Sequence, residues 1–300
     1  MNTRMKVLFL GNGLCRAYGG EDWKRHLHLI NTNPRIDILD AKYERVPYSL
    51  KAVIATDDKI SDVLSTDAAD KLLFGLETID TIREPICSLV NLGFDHILTT
   101  NYSYEIERSL DSDFQRQGTY KGHLIRDFNK VTSMSGLSSP EEKYFLHTFN
   151  ELSYNHQMQK IWHIHGEGRK KDSIVLGQDM YGKLLGQYVE ELKRYDSLPL
   201  PQEVVSWLDA FILGDIYILG FGFDYSEIDL WWLLSKRKQI AGLDSGEIVF
   251  YEPDDGTSKY DVLKTYGVTV SSLGRSASTS YTKFYDDCIN DISKRIGASI

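Results

Sequence analysis

The chain is short of cysteine, of positive charge and of long apolar runs, and each shortage removes a class of protein. Cys15, Cys87 and Cys288 are widely spaced and form no Cys-x-x-Cys pair, so neither a disulfide framework nor a thiolate zinc site is encoded. A reducing compartment follows. With 43 acidic against 34 basic side chains and a net charge of −9, the overall field repels phosphate backbones, which leaves non-specific nucleic-acid binding without an electrostatic footprint. The one basic cluster, Ser235 to Lys238, follows an apolar helical pattern and is expected to be a solvated helix end. No run approaches the ~20 apolar residues of a membrane span, and no charged-then-apolar segment opens the chain. A cytoplasmic protein without a membrane contact is the expectation. No internal repeat is present.

What remains is ordinary globular composition, 42% hydrophobic and 26% charged over 300 residues, enough to bury a large core. Strand-like apolar runs occur at Lys6 to Leu10, His96 to Thr99, Lys160 to His165, Asp215 to Leu219, Glu247 to Tyr251 and Val268 to Leu273. Helical patterns separate most of them. That alternation predicts an α/β fold, a Rossmann-like doubly wound parallel sheet of about six strands, because parallel strands require crossover connections. Ligands bind such sheets outside the carboxyl ends of the strands. Residues 1–300 are read as one domain with helical insertions at about 31–92, 111–159 and 178–213. A helix is expected from Ala68 to Val90, a loop at Ser135 to Pro140, and a break at Leu198 to Pro201.

Several strand ends carry residues suited to a nucleotide. Gly11-Asn12-Gly13 follows the first strand, and a glycine turn there either serves a tight turn alone or lets backbone N–H groups approach a pyrophosphate. Gly220 and Gly222 end the fourth strand and open a helix in the same manner. Asn101 offers a donor and an acceptor after the second strand, or serves as N-cap of a helix from Ser103 to Leu110. His165 titrates near neutrality after the third strand, or is a strand-end histidine satisfied by backbone. His163, two residues earlier on a strand, should share its face. With no third ligand in sequence, the pair is read as metal-free and His163 as a packing or supporting residue. Trp231 and Trp232 read as core or interface. Glu252 either accepts from ribose hydroxyls or is an exposed carboxylate before Pro253.

These elements together resemble the sirtuin family. Gly11-x-Gly13 with Gly19 and Asp22-Trp23 is similar to the sirtuin opening Gly-Ala-Gly-x-Ser and its later Gly-Ile-Pro-Asp-Phe-Arg. Thr99-Thr100-Asn101-Tyr102 resembles Thr-x-Asn, His165-Gly166 resembles His-Gly, and Gly220-Phe221-Gly222-Phe223 with Asp224 and Asp229 beyond resembles Gly-Thr-Ser or Gly-Tyr-Ser. The likeness is greater to the sirtuin-like domains of bacterial anti-phage systems, many of which hydrolyse NAD, than to the deacylases, whose paired Cys-x-x-Cys elements are absent. Cys15 stands where sirtuins have Ser, and Ser103 where an Asp helps hold the nicotinamide carboxamide.

The resemblance implies an NAD glycohydrolase releasing nicotinamide and ADP-ribose, with NAD as substrate and no metal. Asn101 and His165 are the implied catalytic residues; Gly11, Asn12, Gly13, Asp22, Thr100, Ser103, Gly220, Gly222 and Glu252 are the implied NAD-binding ones. A neutral histidine can take a proton from a hydroxyl or water, and an Asn can hold either without adding charge. A homo-oligomer and an activating or sensor protein partner are further expectations. The rival readings are an NAD-dependent deacylase or ADP-ribosyltransferase, and a non-catalytic NAD or ADP-ribose sensor.

Overall fold

The computed structural model describes residues 4–20, 22–66, 79–112, 114, 123–125, 144–168, 171–196, 204–240, 245–253, 258–274 and 279–297. Eight strands are described: β1 (Lys6–Leu10), β2 (His96–Thr99), β3 (His123–Ile125), β4 (Asn150–Tyr154), β5 (Gln157–His163), β6 (Asp215–Leu219), β7 (Ile248–Tyr251) and β8 (Val268–Ser271). They form one sheet in the order β3-β4-β5-β2-β1-β6-β7-β8. Pairings from β5 through to β8 are all parallel, and these six strands are the six apolar runs of the sequence. Taken in chain order they run 3-2-1-4-5-6, the arrangement of dinucleotide-binding sheets. The order reverses between β1 and β6, and a crevice opens at such a switch point because crossovers on its two sides leave to opposite faces.

Two strands lie where the sequence predicted only an insertion. β3 and β4 extend the sheet antiparallel beside β5. Asn155 and His156 both have positive φ, 47° and 64°, and join β4 to β5 as a two-residue turn whose twist matches the strands. The turn escaped notice because it lacks the glycine that usually supplies such angles. The loop at Ser135 to Pro140, the break at Leu198 to Pro201, and Leu72, Leu73 and Leu76 of the long expected helix lie outside the described residues. The rest of that helix is present as Ile79–Val90.

Strand alternation sorts the core. Val7 and Phe9, with Trp162, Ile216, Ile218 and Phe250, face α7 (Tyr144–His147), α8 (Gln178–Leu192), α9 (Trp207–Leu213), α10 (Ile228–Ile240) and α11 (Ser258–Thr265). Leu8 and Leu10, with Ile97, Tyr217 and Val249, face α1 (Gly13–Ala17), α5 (Ile79–Val90), α6 (Glu105–Leu110) and α12 (Tyr281–Ile296). Each fully buried side chain of this kind contributes roughly 1.5–3 kcal/mol. A third, smaller cluster is built by α2 (Trp23–Leu29), α3 (Tyr48–Thr56) and α4 (Ile60–Leu64) around Leu27, Ala52, Val63 and Leu64. It packs on Tyr102, Ile174 and Leu176, which follow β2 and β5, and so covers the carboxyl ends of the sheet.

The basic cluster at the end of α10 is solvated at Lys238, as expected, but not at Arg237. Arg237 is buried, and its guanidinium donates to the carbonyls of Phe211, Gly214 and Gly246. Burial pulls its pKa down to about 10, yet it remains a cation that ties α9, α10 and the entry to β7 together.

At the switch point the chain ends of β1 and β6 touch backbone to backbone. Gly11 N–H donates to Leu219 O at 2.9 Å and Gly13 N–H to Gly220 O at 2.6 Å. A Cβ on Gly11 would stand 2.5 Å from Gly220 O, and Gly220 has a φ of +66°. Gly11→Ala is therefore expected to destabilise the protein by about 1–3 kcal/mol, read from its urea midpoint. Gly222 lines the same crevice with nothing within 4 Å of its Cβ position, so Gly222→Ala should cost less than about 0.5 kcal/mol. Equal losses would show that the crossing of the two loops is not what Gly11 serves.

Candidate active site

A cavity of about 1000 Å³ lies over the carboxyl ends of the parallel strands. Its walls come from the residues that follow β1, β2, β5, β6 and β7, among them Asn12, Gly13, Thr100, His165, Gly220, Gly222 and Glu252. Asp22 lines it as well and at the same time caps α2, accepting from Arg25 N–H at 3.0 Å. Glu252 sits 3.8 Å from Lys259 Nζ, and Arg16 and Arg25 bring two exposed cations to the wall.

Three residues marked by the sequence do not line the cavity. Gly11 lies at the loop crossing beneath it. Asn101 is buried between Thr100 and Tyr102, which do line it; its N–H donates to Thr99 Oγ1 at 3.1 Å and its carbonyl faces His163 Nδ1 at 2.7 Å. Asn101 is not a helix cap, since α6 starts later with Tyr104 at its N-cap. Ser103 is buried and its hydroxyl donates to the Glu105 carboxylate.

The expectation that His163 and His165 share a face is overturned. β5 stops at His163 and the chain turns at Gly166, whose φ is +92° and whose Cβ position lies 2.2 Å from Ser173 O. No other residue fits that turn, and it sends the two imidazoles to different partners. His163 meets Glu107 of α6, Nε2 to Oε1 at 2.8 Å, while Asn150 donates to the same oxygen at 2.7 Å. His165 Nε2 lies 2.9 Å from Asp229 Oδ2, in the first turn of α10.

Around His165 the tertiary structure gathers four groups from two helices and a turn. Asp229 is fully buried and also accepts from Tyr188 OH at 3.2 Å. Glu227, just before α10, accepts from Tyr181 OH at 3.0 Å and places Oε2 3.9 Å from His165 Nδ1. Tyr181 packs edge-on to the imidazole with centroids 5.6 Å apart. Burial opposes a charged His165, but the charge and hydrogen bond of Asp229, with the charge of Glu227, outweigh it and raise its pKa. Burial, together with the charges of Asp229 and Asp224, pushes Glu227 up to about 7 against the opposing pull of His165 and the Tyr181 hydroxyl.

The Asp229 contact fixes which nitrogen of neutral His165 carries the proton: Nε2–H donates to the carboxylate, and Nδ1 is left with a lone pair. One donor atom each from His165, Glu227 and Asp229 lie within 4.8 Å of one another, so the acidic neighbours absent from the His163–His165 pairing are supplied here. The 2.9 Å separation of Nε2 and Oδ2 is that of a hydrogen bond.

Sequence reading missed Glu227, Tyr181, Tyr188 and Glu107, and noted Asp229 only within the resemblance. One signal was available. Glu227 and Asp229 bracket Ile228 a short loop after a glycine-ended apolar strand and immediately before the apolar run Leu230 to Leu234, a setting in which a carboxylate needs a partner.

An open doubly wound domain whose cavity lies at the switch point belongs to the nucleotide-binding class of α/β proteins. Within that class, the family model described as the SIR2-like domain matches residues 95–270, more than half of the chain. The chain belongs to the SIR2-like family, whose members are NAD-utilising enzymes. The matched segment begins just before β2, so the glycine turn after β1 lies outside it. A search of curated proteins finds no match.

The His163–Glu107 pair makes stability depend on pH. Although burial disfavours the imidazolium, Glu107 outweighs it and His163 is held up to about 9 from its ordinary 6.5. Burial likewise disfavours the Glu107 anion, and His163 reverses this and holds Glu107 below its ordinary 4.5. A raised basic group binds its proton more tightly in the folded state, so its contribution is whole below pH 6.5 and is lost as pH rises through about 9. Over that interval the stability of wild type relative to His163→Gln should fall, by at most about 1.4 kcal/mol per pH unit. Urea unfolding across the interval measures it, and a flat difference would refute the ion pair.

Proposed function

We propose that the protein is an NAD glycohydrolase that cleaves the bond between nicotinamide and ribose. The observation that carries this reading is His165, held through Nε2 by a buried carboxylate at the wall of a dinucleotide-sized cavity at the switch point. The pyrophosphate of NAD suits the open backbone at Gly222, with Arg16 and Arg25 nearby as countercharge, above the crossing at which Gly13 and Gly220 bond to each other. The ribose and nicotinamide are assigned to the end lined by His165 and Thr100.

The leaving group is a pyridinium, so it departs neutral and needs no acid. What the reaction needs is an acceptor for a proton and stabilisation of the positive charge that develops on ribose. His165 Nδ1 supplies the acceptor toward a ribose hydroxyl or the attacking water, and Asp229 holds the ring in the tautomer that leaves Nδ1 free. The carboxylates beside it favour a cation. Asn101 lies behind the wall between Thr100 and Tyr102, so its part is to position that segment against the ribose. The absence of Cys-x-x-Cys pairs argues against the zinc-organised acyl-lysine channel of the deacylases. Ser103, turned to Glu105 rather than into the cavity, favours as second reading a module that binds NAD without turnover. Assembly into a homo-oligomer and a triggering partner, in the manner of a defence effector, belong to this proposal as its regulation.

The test is nicotinamide release from NAD, with protein in excess so that slow basal turnover is measured. His165→Ala should lower the rate by about 10²–10⁴-fold while NAD binding persists, and His163→Ala should do much less. Asn101→Asp should also be impaired if the amide donor is required. Because His165 is raised above its ordinary 6.5, release should increase with pH through a point above that value. Asp229→Asn should move that point downward. Binding without release supports the second reading, and loss of activity to a chelator with recovery on adding Zn²⁺ would replace the proton-transfer role of His165 by a metal site.

A further inference from the structure

His165 is not the only ionisable group that meets the cavity at this end. Asp229 is fully buried, and both His165 and Tyr188 donate to its Oδ2. Glu227 differs. It lines the cavity, keeps 19% of its side-chain surface exposed, and its carboxylate has Tyr181 as its one hydrogen-bond partner among the described residues. Its Oε2 is 3.9 Å from His165 Nδ1, too far for a direct hydrogen bond, yet one oxygen atom at about 2.8 Å from each can bridge the two. A ribose hydroxyl or a water molecule has that reach.

We infer that Glu227 is a second catalytic group of this site: its carboxylate faces the ribose as positive charge develops at C1′ and takes the proton of the attacking water, leaving His165 to hold a ribose hydroxyl. The inference rests on the hydrolase reading above. In the step, the C1′–N bond breaks and its electron pair stays on the pyridine nitrogen, giving neutral nicotinamide. The water oxygen bonds to C1′, one water proton moves to Glu227, and that proton is afterwards released to solvent, so that NAD⁺ and water give nicotinamide, ADP-ribose and H⁺. An anion fixed beside a developing cation in a partly dry pocket stabilises the transition state more than the substrate, whose charge still resides on the nicotinamide ring. Tyr181 orients Glu227 as Asp229 orients His165. Burial holds this carboxyl near neutrality at about 7, the range in which a group exchanges protons most effectively.

The experiment compares full-length wild type, Glu227→Gln and Glu227→Asp in nicotinamide release with protein in excess over NAD, together with calorimetric binding of ADP-ribose. Glu227→Gln should lower the single-turnover rate constant by about 10²–10⁴-fold with ADP-ribose affinity essentially unchanged, and Glu227→Asp should recover part of the loss. Release by Glu227→Gln within about tenfold of wild type, or a loss of rate accompanied by loss of ADP-ribose binding, would overturn the inference and leave the hydrolase reading standing. No release from wild type would overturn the hydrolase reading, and this inference with it.

Discussion

The parallel pairing of β1 with β6 is the constraint on which the remainder depends. It sets the strand order that reverses direction at the centre of the sheet, and it sends the two sets of crossovers to opposite faces. The crevice between them would close or splay if the two chain ends could not meet. Glycine at 11, 13 and 220 lets them approach as bare backbone, joined by the Gly13 N–H to Gly220 O bond. Beneath the junction Phe9, Phe221, Phe223 and Phe250 interlock edge to face, with centroids 4.9–5.2 Å apart. The floor of the cavity is therefore close-packed.

On that floor the chain places acids where a soluble protein usually avoids them. Asp229 and Glu107 are fully buried and Glu227 largely so. Each meets a histidine or a tyrosine hydroxyl, which offsets a desolvation cost that would otherwise neutralise it. The two histidines that the sequence set side by side thereby acquire separate tasks. His163 is locked into an ion pair behind the Thr100–Tyr102 segment, with its Nδ1 at the Asn101 carbonyl, and His165 stands at the cavity wall with one nitrogen fixed by Asp229. A negative wall beside a buried imidazole at the cavity edge suits chemistry in which the substrate becomes more positive at the reacting carbon.

The fold was legible because its signals are local. Apolar runs of four to six residues with helical patterns between them survive any reading of composition, and the six parallel strands lie where those runs are. The edge hairpin β4–β5 was not legible, since Asn155 and His156 adopt left-handed angles that their sequence does not advertise. Arg237 failed for a related reason: a cation near a helix end reads as solvated, and only the approach of α9 and the turn before β7 provides three carbonyls to hold it buried.

By itself the sequence determined the class of sheet, the strand ends that line the cavity, and His165 as a candidate proton acceptor, because strand periodicity and glycine turns are properties of neighbouring residues. Only the tertiary structure decided what surrounds that histidine. Tyr181 and Tyr188 come from α8, Glu227 and Asp229 from the start of α10, and the Gly166 turn brings His165 to them across separations of 16 to 64 residues. No local pattern encodes such a meeting. It arises from helices packing on one face of a doubly wound sheet, where burial favours pairing of polar groups that lie far apart in the chain.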